Sequence, residues 1–227
     1  MFPAEKNPRL ERVGFELRST GIRPATANPL RSGTHSRGYL PHVKREGAAY
    51  FVTFRLNDSL PREVMLKLQS AHAERLRKGE PLEEIQRQHF REIEKFLDHR
   101  SGECLLSRPE VAEMVTSALR HFEGARYRLD AWVVMPNHVH AVLSPMPNHA
   151  LSAILQSWKR FTAREANKLL GRVGQPFWQP ESYDHWIRND QEHVSCCRYT
   201  VNNPVKARLC AAPEEWPWSS LRHSSAA

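Results

Sequence analysis

The sequence predicts an α+β fold of the ferredoxin-like or RRM-like kind: an antiparallel sheet with helices on one face, followed by a further C-terminal helix. Three observations predict it. Strand and helix patterns alternate in the order β, α, β, β, α, β, α, with an extra helical pair inserted after the first strand. Two apolar, β-branched runs, 127–134 and 138–144, are separated only by Met135-Pro136-Asn137, which reads as a hairpin. The 227 residues carry one core-sized apolar pattern, so one domain is the economical organisation.

Taken in order, residues 1–36 are rich in Pro, Arg, Ser, Thr, Gly and Asn and read as a flexible basic tail. Its arginines, with Arg37 at the junction, are suited to docking on DNA phosphates. A single folded domain is expected over 37–220, with 221–227 as a short C-terminal tail. Ala48 to Leu56 reads as the first strand, and Asn57-Asp58-Ser59 as a turn and helix start. Pro61 to His99 alternates acid and base with a break at Gly79-Glu80-Pro81, which predicts two helices with solvated outer faces; 61–100 is therefore a helical insertion. Most of its charges call for no functional explanation. Pro109 to Phe122 starts with an N-terminal proline and ends near Gly124, as a helix should. After the hairpin, Ala150 to Leu170 is an amphipathic helix, and Phe177 to Ile187 is the expected last strand. Such a sheet leaves its other face, or the hairpin, free to meet nucleic acid.

The chemistry begins in the hairpin. His138-Val139-His140 opens its second strand, and side chains alternate along a strand, so both imidazoles point to one side while Val139 points to the other. Two converging imidazoles suit a divalent metal, although two unremarkable histidines would give the same pattern. Some sixty residues downstream, His193 to Leu209 carries Val194, Cys197, Val201 and Val205 at helical spacing, with Tyr199 and Asn203 four residues apart on another face. Pro204 disfavours helical geometry at Asn203, so the helix is expected to end or kink there and aim the amide forward. A phenol beside an amide, brought up to two histidines, would make a metal-assisted nucleophilic site, although a packing tyrosine and a helix-terminating asparagine would give the same pattern.

The segments 37–42, 50–56, 135–140, 183–188 and 199–207 together resemble the REP-associated tyrosine transposases, bacterial relatives of insertion-sequence transposases with a single tyrosine and a His-hydrophobic-His motif. The resemblance runs in the family's order from about Arg37 to Trp218. It implies that Tyr199 is the nucleophile and that His138 and His140 are metal ligands with Asn203 as third ligand; such mixed nitrogen and oxygen ligation admits Mg2+ or Mn2+, although imidazole would also accept softer metals. It further implies a covalent 5′-phosphotyrosine, a freed 3′ hydroxyl, and strand transfer without ATP on single-stranded or hairpin DNA with REP-like repeats. Where the family often has Gly after the Asn-Pro-Val-Lys-Ala run, this chain has Arg208.

Composition agrees. A net charge of +8 favours an anionic polymer, and no apolar stretch is long enough to span a bilayer or to form a signal-peptide core. The expected location is the bacterial cytosol, at the nucleoid through DNA, with no membrane and no small-molecule substrate. The resemblance, not the composition, favours a monomer over a dimer. Cys104, Cys196, Cys197 and Cys210 show neither zinc-ligand spacing nor a secreted disulfide framework and read as reduced thiols. Lys159, Arg160, Arg188 and Lys206 are candidate phosphate contacts. Tyr183, Trp132, Trp178 and Trp186 are candidates for base stacking, with core packing favoured for the tryptophans. Tyr183 also competes as nucleophile but lacks an amide at helical spacing. His149, His185 and His193 read as ordinary histidines. Two alternatives stay open: a non-catalytic RRM-like DNA- or RNA-binding protein, and a metal-dependent phosphodiesterase that uses water.

Overall fold

The computed structural model describes residues 33–36, 41–44 and 47–223. The expected N-terminal tail lies outside them except for its last four residues, and Arg37 lies outside as well. Gly33–Ser36 (β1) and Pro41–Lys44 (β2) pair as a small antiparallel ribbon.

The main sheet has four antiparallel strands: Ala49–Arg55 (β3), Tyr127–Val134 (β4), His138–Pro145 (β5) and Tyr183–Ile187 (β6), in the spatial order β4-β5-β3-β6. The first strand thus sits between the third and fourth, which is the ferredoxin-like order the sequence predicts. The helices are Arg62–Arg77 (α1), Leu82–Asp98 (α2), Pro109–Arg120 (α3), Leu151–Leu169 (α4), Asp190–Lys206 (α5) and the short Ser220–His223 (α6).

Alternation along β3 sorts the core into two halves. Tyr50, Val52 and Phe54 face α3 and α4, where Val111, Val115, Leu119, Ile154, Leu155 and Trp158 complete the larger cluster. The polar tips inside it are paired: the Trp158 indole donates to the Tyr127 hydroxyl at 2.9 Å, which donates to the Leu119 carbonyl at 2.7 Å. Ala49 and Phe51 face the other way, against Phe90 of α2 and Cys196, Cys197 and Val201 of α5. The second face is therefore covered, not open as the sequence suggested. The inserted pair also has its own small core, Leu60, Leu68, Ile93 and Leu97, whose one-sided stripe keeps α1 against α2.

Three local expectations shift. The last strand begins at Tyr183 rather than Phe177, because Pro180 offers no backbone donor; Trp178 makes only an isolated bridge to Leu56. On α5 the buried face is Cys196, Cys197, Thr200, Val201 and Pro204, while Val194 and Val205 are half-buried. The helix also does not break at Asn203: it runs through Pro204 to Lys206. Pro204 is tolerated because it lies in the last turn, where Leu209 N–H closes back on the Pro204 carbonyl at 2.8 Å. Arg208 supplies the left-handed residue of that ending, with φ of +57°, where glycine is the usual occupant. At the other end of α5, Asn189 Oδ1 accepts from Glu192 N–H at 2.9 Å and fixes the helix start.

Candidate active site

The hairpin turn and two helices build the site together. His138 and His140 leave β5 on the side of α2 and α5, and neither ring is exposed at all. Register places Arg55 opposite His138 and Thr53 opposite His140 on β3. Thr53 Oγ1 lies 2.7 Å from His140 Nδ1, and Asn137 Oδ1 lies 2.8 Å from His138 Nδ1. The Asn137 amide nitrogen donates to the Ser101 carbonyl at 3.1 Å, so its oxygen faces the imidazole and the His138 Nδ1–H is the donor. That leaves the two Nε2 atoms to meet each other at 3.1 Å. Oxygen partners on the far nitrogens are the arrangement that orients metal-binding histidines.

The third group at this point is Glu94 of α2, which the sequence reading passed over. Its Oε2 is 3.5 Å from His140 Nε2 and accepts a hydrogen bond from the Tyr199 hydroxyl. Ligand atoms of Glu94, His138 and His140 all lie within 4.8 Å of one another. A signal for Glu94 did exist. It stands among Phe90, Ile93 and Leu97 on the apolar face of α2, where periodicity calls for a core residue, and a buried acid there needs a partner.

Asn203 lies at the same place, 1% exposed, near enough to His138 and Tyr199 to bias the ionisation of both. Neither its Oδ1 nor its Nδ2 has a hydrogen-bond partner, and neither does Glu94 Oε1. Orphaned buried oxygens beside two inward-facing imidazole nitrogens fit a divalent cation with mixed nitrogen and oxygen ligation. Electrostatics point the same way. Burial opposes ionisation of Glu94, but His140 and His138 outweigh it and lower the carboxyl to about 2. Burial, then His140, lowers His138 to about 3, so its imidazole is neutral, the form that can bind a metal. Burial, then the Glu94 carboxylate, holds the Tyr199 phenol well above its ordinary range, so at rest it is a protonated donor.

The other residues of interest surround this centre. Phe51 stacks on His140, with ring centroids 5.4 Å apart, and meets Tyr199 edge-on at 5.8 Å. Tyr183 lies on β6 face to face with Phe90, not among the imidazoles, and burial holds its phenol above the ordinary range. Lys206 Nζ is 5.4 Å from the Tyr199 ring centre and 2.9 Å from Asp98; Arg188 pairs with Glu83 at 2.7 Å. Lys159 is turned inward, donating to the Gln179 and Pro180 carbonyls at 2.5 and 2.8 Å, and burial beside Arg55 lowers its amine to about 8. Arg160 is exposed on α4. Trp132 and Trp178 are core residues, while Trp186 is half-buried. His185 pairs with Glu192, and His193 with Asp130.

Comparison with known proteins gives three findings. Residues 106–202 match the family described as Transposase IS200 like. The REP-associated tyrosine transposase of Escherichia coli (strain K12) is 28% identical over 102 residues, 44% of this chain; the chain spans 58% of that relative's length. A solved structure of a REP-associated tyrosine transposase bound to a REP hairpin aligns with a TM-score of 0.47 at 18% identity, covering 84% of each chain. Residues 106–202, which hold the histidine hairpin and the turn of helix bearing Tyr199, are thus the part of the chain that is similar to the IS200-like transposase family.

Proposed function

We propose that this protein is a metal-dependent DNA transesterase that cleaves and rejoins single-stranded or hairpin DNA of the REP type through a covalent 5′-phosphotyrosine. The observation that carries the reading is the meeting of Tyr199 with Glu94, His138 and His140 in one buried cluster. The family match and the relative's name support a transposase activity over other uses of the same residues.

His138, His140 and Glu94, with Asn203 beside them, would hold Mg2+ or Mn2+. Such an ion, when bound, supplies Lewis-acid polarisation of the scissile phosphate. The protein's own groups do the rest. Thr53 and Asn137 fix the two rings in place. The Tyr199 oxygen attacks phosphorus in line, forming the P–O bond to tyrosine as the bond to the 3′ oxygen breaks. Glu94 Oε2, already the acceptor of the Tyr199 proton, takes it as the phenol oxygen becomes an ester; the 3′ oxygen departs as an alkoxide and takes up a proton from solvent to become the free hydroxyl, and Glu94 later returns its own proton to solvent. The phosphotyrosine conserves the phosphodiester energy, so an incoming 3′ hydroxyl reverses the step and joins a new strand. Burial of the cluster favours transfer over hydrolysis by excluding water.

The test is to incubate the protein with Mn2+ and end-labelled hairpin oligonucleotides from its genome's repeats, then denature and look for labelled protein. We expect a labelled band that Tyr199→Phe abolishes while strand binding persists. Cleavage that survives in Tyr199→Phe without any band would instead establish a water-using phosphodiesterase.

A further inference from the structure

We propose that Lys206 is a further catalytic residue, whose ammonium parts from Asp98 to hold a non-bridging oxygen of the phosphate that Tyr199 attacks. The inference deepens the transesterase reading and rests on it for its substrate. Lys206 follows Tyr199 by seven residues, and two turns of an unbroken helix return to nearly the same face. The helix is unbroken, because α5 runs through Pro204 to Lys206. Lys206 therefore stays on the face that carries Tyr199 and Asn203, where a break at Asn203 would have turned it away. From the last turn, where the helix dipole favours a cation, its side chain reaches back until Nζ lies 5.4 Å from the Tyr199 ring centre. Its charge is also felt at His138, where it disfavours protonation of the imidazole.

Two helix ends meet at this point. Asp98 closes α2, Lys206 closes α5, and the two side chains pair at 2.9 Å. Here the cluster is most open to solvent: the Lys206 and Asp98 side chains are 40% and 22% exposed and Tyr199 is half-buried, whereas both imidazoles are fully buried. Asp98 holds the ammonium through Oδ2, while its Oδ1 has no hydrogen-bond partner. A pair so exposed contributes little, and the exchange asks only two surface side chains to part. In return a phosphate oxygen offers a charge-assisted hydrogen bond. A compact ammonium on a flexible stem, with three rotatable donors, suits that handover. At attack the phosphorus stands about 3–3.5 Å from the Tyr199 oxygen, which keeps its outer oxygens close to a cation held against the same ring. As the phenol proton passes to Glu94, the charge arriving with the phenol oxygen falls on those outer oxygens. A cation fixed beside them in advance stabilises the transition state more than the bound strand. Lys206 gives up no proton in this step, and the bonds made and broken are those of the transesterification.

The experiment follows single-turnover adduct formation with Mn2+ on saturating hairpin oligonucleotide from the genome's repeats, for the wild-type chain, Lys206→Gln and Lys206→Arg. Affinity for the same strand, fluorescein-labelled, is read by anisotropy in EDTA. Lys206→Gln is expected to slow the adduct step about 100-fold. Its affinity for the strand is expected to fall about threefold or less, because the contact strengthens during attack. Lys206→Arg keeps the charge and is expected to stay within about tenfold of the wild-type rate. Sulfur in place of one non-bridging oxygen at the cleaved phosphate gives two diastereomers. The isomer whose sulfur meets Lys206 is slowed in the wild type and loses that penalty in Lys206→Gln, since both changes remove one contact. Melting curves of both variants are expected to overlay the wild type's. A Lys206→Gln adduct rate within about threefold of wild type, or sulfur penalties that the substitution leaves unchanged, would overturn the role of Lys206 and leave the transesterase standing. Wild-type cleavage without adduct overturns the transesterase; slower cleavage in Lys206→Gln then still supports its phosphate contact, and an unchanged rate overturns it. A wild type that neither cleaves nor forms adduct overturns both.

Discussion

Glu94 ties the Tyr199 phenol to the imidazole pair at a single carboxylate. Its Oε2 serves Tyr199 and His140 together while Oε1 is left for another partner. Removing the charge but keeping the shape tests that double duty. Glu94→Gln is expected to lower Mn2+-supported cleavage about 100-fold, with partial recovery at higher Mn2+, since loss of a metal-site partner costs about 10- to 100-fold in affinity or activity. A titration of cleavage against Mn2+ that is superimposable on wild type would exclude Glu94 from the site. His89, in contrast, reports on stability. Burial, then His72 and Arg55, lowers it to about 4, below the ordinary 6.5. As pH falls below that ordinary value the unfolded chain takes up this proton and the folded chain does not. Stability is therefore lost between about pH 6.5 and 4, at up to about 1.4 kcal/mol per unit. Urea unfolding across that range should show a shallower acid slope in His89→Phe; an equal slope would assign the loss elsewhere.

At the scale of elements, the site depends on how α2 is tethered. Asp58 Oδ2 accepts from Glu103 N–H at 2.7 Å, and a Cβ on Gly102 would stand 2.7 Å from the Asp58 carbonyl oxygen at a φ of +88°. Gly102→Ala is expected to cost about 2 kcal/mol by backbone strain and collision, read as a shift in the urea midpoint with little change in slope. Much of this layer is legible beforehand. The helical pair breaks at Gly79-Glu80-Pro81, and the hairpin and the ends of α3 and α4 fall within two residues of their sequence patterns. Helix α5 is less legible. Pro204 argues for a break, yet a proline in a final turn clashes little, and the left-handed Arg208 closes the helix without glycine.

Across the whole molecule, the fold places Glu94, His138 and His140, the proposed cation ligands, on elements distant in the chain, so binding should stabilise the fold globally. Saturating Mn2+ is expected to raise the melting temperature by about 5 °C, a gain lost in His138→Ala with His140→Ala. An equal rise in that double variant would move the ion elsewhere. Among the described residues, no helix is long and apolar enough to cross a membrane.

What the sequence determined by itself was the order of elements, the His138 and His140 side-by-side geometry, and the face shared by Tyr199 and Asn203. All of these follow from the two- and 3.6-residue periods of local structure. What only the tertiary structure decided was which face of the sheet each helix covers. Glu94 lies 44 residues before His138 on a helix whose charges read as solvated, and no local period links them. Only the folding of the inserted pair back over the second face of the sheet, driven by Phe90 packing on Phe51, brings its carboxylate to the histidines and the tyrosine.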